Sequence, residues 1–92
     1  MISRRTRAAR LGERLMARAV MHVGDEMRVY QTFQRTIDRS EPDAPRNLLA
    51  DAVEQAIHQA NKRIADNLSE NQESAAGIAR LKRFKHLHRS GT

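Results

Sequence analysis

Apolar residues recur every three or four positions along almost the whole chain, which is the period of a helix. Between Ser3 and Val23, the residues Leu11, Leu15, Ala19, Val20 and Val23 share a stripe, with arginines between them. Ser3 is placed to cap this segment. The arginines of its first turns oppose the helix dipole and predict a frayed start. Residues 25–39 continue the pattern with Met27, Tyr30, Phe33 and Ile37. Between the two, Gly24-Asp25 offers a stop and a restart, since glycine suits a left-handed C′ position and aspartate caps a new helix. A second pattern points the other way. Ala9, Met16, Val23, Tyr30 and Ile37 fall seven apart, with Gly12, Ala19 and Phe33 on the matching d positions and Glu26 interrupting them. One glycine inside a helix costs only about 1 kcal/mol. The expectation is one long helix kinked at Gly24, with two shorter helices as the rival.

Ser40-Glu41-Pro42-Asp43-Ala44-Pro45 is the clearest boundary. Each proline breaks a helix and pushes its predecessor out of the α region. Asp43 is a good N-cap, with Pro45 in the tolerated first turn. The next helix is expected over about 44–69, with Leu49, Val53, Ala56, Ala60, Ile64 and Leu68 as its apolar stripe and Ile57 beside it. The polar run 68–74 reads as a turn or an exposed helical stretch. Ala75, Ile78, Ala79, Leu81, Phe84 and Leu87 then give a last amphipathic piece, weakened by Gly77, before a frayed end. The fold class is all-α: a helical hairpin or small bundle of two to four helices, folded back at the Pro-x-x-Pro turn. It is coiled-coil-like and open to oligomerisation. Residues 1–92 form one small domain with basic N- and C-terminal segments.

Composition narrows this further. Tyr30, Phe33 and Phe84 are the only aromatic residues. Ala, Leu, Ile, Val and Met suit closely packed helices better than a sandwich or barrel. Ninety-two residues bury a modest core, which favours oligomerisation as a source of extra stability. Without cysteine there is no disulfide and no thiolate metal site. No apolar run is long enough to span a membrane. The N-terminus has no apolar core of a secretory signal, and a cytoplasmic location is expected.

Charge is unevenly laid out. Residues 1–24 hold six arginines against Glu13 alone, residues 25–61 hold seven acids against four arginines, and residues 74–92 hold five basic residues and no acid. Two basic ends flank an acidic middle, which points to a negative partner. The candidate phosphate-binding residues are Arg4, Arg5, Arg7 and Arg10 at one end and Lys82, Arg83 and Lys85 at the other. Arginine forks suit phosphate oxygens, and several together give salt-dependent affinity. The alternative for the N-terminal run is a solvated, flexible arm or an ordinary basic helix face. For the C-terminal run it is Leu81, Phe84 and Leu87 packed on the chain's own core with the bases outside.

Four histidines invite a metal reading, but His86 and His88 diverge by about 200° on a helix. His22 and His58 lie on separate segments, and no carboxylate accompanies them at ligand spacing. No metal and no cofactor is expected. Nor is there a Gly-rich phosphate loop, a GxSxG or a cysteine nucleophile. Adjacent Asp25 and Glu26 are better explained by helix capping than by acid–base chemistry.

The expectation is a non-enzymatic, small basic helical protein of bacterial, phage or plasmid type. It is nucleic-acid-associated through its Arg-rich ends, with backbone rather than base recognition. Its partner is a nucleic-acid backbone or an acidic protein surface, with no small-molecule substrate. The alternative is a helical protein–protein adaptor, inhibitor or assembly subunit, sharing a seam through Val23, Tyr30, Phe33 and Ile37 with a partner helix. Scarce aromatics near the basic residues argue against stacking on single-strand bases.

Overall fold

The computed structural model describes residues 3–21, 24–66 and 71–90, and four helices account for nearly all of them: α1 (Arg4–Met21), α2 (Glu26–Ser40), α3 (Arg46–Asp66) and α4 (Asn71–Ser90). Ser3 caps α1 as its position implies: its Oγ accepts the Thr6 N–H at 3.2 Å, and its carbonyl accepts the Arg7 N–H at 3.0 Å.

The chain breaks where one long helix was expected to continue. Gly24 takes φ +135°, a conformation that L side chains rarely adopt. Asp25 then caps α2, its Oδ1 accepting the Met27 N–H at 3.0 Å. Local capping chemistry outweighs the seven-residue repeat because Tyr30, Phe33 and Ile37 find apolar partners within the chain once α2 turns back along α1. Val23, also on that repeat, lies outside the described residues.

At the proline-containing connection, α2 ends at Ser40 and α3 begins at Arg46. The Glu41 N–H closes α2 onto the Ile37 carbonyl at 2.7 Å, and the Ala44 N–H turns back to the Glu41 carbonyl at 3.0 Å. Asp43 sits within that turn rather than at the helix start. The Pro45 carbonyl receives the first helical bonds, from Leu48 and Leu49.

Packing is dominated by α1 on α3, with α4 against both and α2 laid along α1. Small residues let α1 and α3 close up. A Cβ on Gly12 would stand 2.5 Å from the Ala52 carbonyl oxygen and 3.2 Å from the Ala56 nitrogen. One apolar cluster joins all four helices, from Leu11, Leu15 and Ala19 through Val29, Phe33, Ala52 and Val53 to Leu81 and Phe84. Leu48 and Ala52 are also buried, which widens the stripe expected on α3. Phe33, Phe84 and Tyr30 form an aromatic trio between α2 and α4, with Phe33 and Phe84 edge-to-face at 5.2 Å. Gly77, read as a weak point, is where α4 meets Met16, Ala19 and Val20. The radius of gyration, 12.7 Å, is close to the roughly 12 Å expected of a folded domain of this length. The result is an all-helical four-helix bundle.

Candidate nucleic-acid interface

Successive residues turn by about 100° round a helix axis. Arg10, Arg14 and Arg18, at steps of four, therefore form one row on α1. Arg28, Arg35 and Arg39, at steps of seven and four, form a row on α2. All six are exposed; the α2 row lies on the side away from Val29, Phe33 and Ile37, and the α1 row runs from the outer side at Arg10 to the edge of the buried stripe at Arg18, about 20° from Leu11.

The fold turns the two rows to the same side. The start of α1 meets the end of α2, where Arg7 reaches Glu41 and Arg14 Nη1 donates to Ser40 Oγ at 2.7 Å, so the helices run antiparallel. Their buried stripes face the same core. In an antiparallel pair with a common core, residues set equally far round from the shared seam fall on one outer face. That face carries six arginines, with Thr32, Ala17 and Met21 between them. The nearest helical acids, Glu13 and Asp38, are set about 60° further round, on the far flanks of the two helices. Asp38 accepts a bond from Gln34 Nε2 at 3.0 Å. Among the described residues, none of the six arginines forms an ion pair.

The basic ends are organised differently. Arg4 pairs with Asp51 at 3.0 Å, Arg83 with Glu26 at 2.6 Å, and Lys85 lies 3.9 Å from Glu54. Arg7 grips Glu41 at two points. Arg5 lines a polar recess with Arg4, Asp51, Glu54 and Gln55. Lys82 is exposed on α4. The acids of the middle thus neutralise several bases of the ends. Of the seven basic candidates, Arg10 sits on the six-arginine face, and Arg7 stands on the same side of α1 but is turned onto Glu41. The side chain of Arg89 lies outside the described ones.

The contacts carry matching electrostatics. The Arg7 hydrogen bond, opposed by burial and assisted by the Arg7 and Arg14 charges, holds the Glu41 carboxyl below the usual carboxylate range. The Glu26 carboxyl is lowered chiefly by a hydrogen bond from the Tyr30 phenol, and also by Arg83. Burial first, then Glu26, pushes the Tyr30 phenol up. Arg83 thereby fastens α4 to the first turn of α2. Arg80 Nη1 fastens α4 to the end of α1 by donating to the Ala19 carbonyl at 2.8 Å.

On the seam expected to meet a partner, Phe33 and Ile37 are buried in the chain's own core and Tyr30 is half-buried beside Phe84. What α2 and α4 leave open is a shallow apolar groove lined by Met27, Tyr30, Gln31, Gln34, Phe84 and Leu87. Met27 is 62% exposed and Leu87 53%, so Leu87 does not join Leu81 and Phe84 in the core.

Among the described residues no three His, Asp or Glu side chains converge to hold a metal ion, and no helix is long and apolar enough to cross a membrane. Compared with protein-family models, curated proteins and solved structures, the chain finds no significant match in any of the three.

Arg14, Arg18, Arg28, Arg35 and Arg39 do not stand out in the sequence as site residues. The signal was present in their spacing. It was hidden because charge was summed along the chain, and residues 25–61 are acidic on balance.

Proposed function

We propose that this protein is a non-enzymatic, nucleic-acid-associated helical bundle that grips phosphate backbones with the outer face of α1 and α2. The observation that supports the reading is the pair of arginine rows, six exposed side chains that form no ion pair among the described residues, with Glu41 beside Arg14 already held by Arg7. Guanidinium forks pair with phosphate oxygens bidentately and keep their charge at any working pH. An acidic protein partner would want aromatic or apolar anchors at the centre of the contact. On this face only Ala17 and Met21 are apolar.

The test is a titration of a fluorescent DNA duplex at several salt concentrations. Six phosphate contacts predict that log K falls against log salt with a slope of about −5. Absence of binding at low salt would contradict the proposal.

A protein–protein role is the second reading, favoured by the apolar groove around Met27 and Leu87. Replacing both with aspartate would abolish such an association and leave the arginine face intact.

A further inference from the structure

We infer that the arginine face takes double-stranded rather than single-stranded nucleic acid, with one row of arginines following each strand. The inference rests on the phosphate-binding reading above and adds the class of ligand.

Three features carry it. The first is that there are two rows. Packed helices have axes about 8–10 Å apart. From Arg10 to Arg18 the α1 row runs about 12 Å, and from Arg28 to Arg39 the α2 row runs about 16 Å. Two rows of cations side by side thus face a ligand that offers two rows of phosphates. A single strand would engage one row and leave the other unused.

The second feature is where the aromatic rings are. Tyr30, Phe33 and Phe84 pack on one another on the core side of α2, so none lies among the six arginines. Single-strand binders gain much of their affinity from bases stacked on such rings. A duplex keeps its base faces stacked inside and asks only for cations outside.

The third is rigidity. Both rows stand on helices fixed by the common core, by Gly12 against Ala52 on the α3 side and by Arg7 with Glu41 at the α1–α2 end. Cations held at fixed spacing suit the regular phosphates of a duplex better than a flexible single strand.

Labelled DNA of about 20 nucleotides, roughly two helical turns as a duplex, is titrated single-stranded and double-stranded, beside an RNA duplex of the same sequence. The expected result is a duplex at least about ten-fold tighter than the single strand at equal salt. Either duplex, DNA or RNA, binding more tightly than the single strand meets the expectation. Removing one row (Arg10→Ala, Arg14→Ala and Arg18→Ala together) should collapse the duplex preference. Removing the other (Arg28→Ala, Arg35→Ala and Arg39→Ala) should do the same. Single-strand binding as tight as duplex binding would overturn this inference and leave phosphate binding standing. A duplex preference that survives loss of either row would overturn the two-row arrangement. Failure to bind any of the three nucleic acids would overturn the phosphate-binding reading itself.

Discussion

Arg7 holds Glu41 at two points, Nε to Oε1 at 3.2 Å and Nη2 to Oε2 at 2.6 Å. The contact draws the first turn of α1 onto the end of α2 and takes one arginine out of the reach of outside phosphates. Because Glu41 is held below the usual carboxylate range, its contribution to stability is complete above that range. It is lost as pH falls through the lowered value. Glu41→Gln should therefore lower the melting temperature at neutral pH, and the gap to the parent protein should close in strong acid. A gap that persists undiminished in acid would show that the ionised pair is not its source. The same variant releases Arg7 toward the arginine face, and the salt slope of duplex binding should steepen by about one.

Gly12→Ala should destabilise the bundle by about 1–3 kcal/mol. The added methyl would meet the backbone of α3, 2.5 Å from the Ala52 carbonyl oxygen, and backbone cannot move aside as a flexible side chain does. Urea unfolding measures the loss. An unchanged midpoint would contradict the close approach of α1 and α3 at Gly12.

Phe84 and Leu87 stand on the same helix and should behave oppositely. Phe84 is buried against Phe33 and Tyr30, and Phe84→Ala should cost about 3–5 kcal/mol. Leu87 is 53% exposed, and Leu87→Ser should stay within about 0.5 kcal/mol of the parent protein. Equal losses in thermal unfolding would place Leu87 in the core after all.

The all-helical class, the capping role of Ser3 and most of the core stripe were legible in the sequence, because apolar spacing reports directly which side of a helix is buried. The break at Gly24 was legible only as one of two options. The repeat through Met16, Tyr30 and Ile37 is equally consistent with a straight helix and with one folded back on itself. In the sequence Gly12 is one seam position among several, since nothing local says that another helix will lie against it. The arginine rows were hidden for a similar reason. Arg28, Arg35 and Arg39 belong to an acidic stretch of chain, and only the packing of α2 along α1 sets them beside Arg10, Arg14 and Arg18. Conversely, Arg4, Arg83 and Lys85 looked available because Asp51, Glu26 and Glu54 are distant in sequence.

Salt dependence separates the outer face from the basic ends most directly. Duplex binding is compared in the parent protein, in Arg10→Ala with Arg35→Ala and Arg39→Ala, and in Arg5→Ala with Lys82→Ala. The arginine-face variant should bind more weakly, with its slope reduced by about three, while the variant of the two ends keeps the parent slope. The reverse pattern, an unchanged slope after loss of the three arginines and a reduced one after loss of Arg5 and Lys82, would contradict the account.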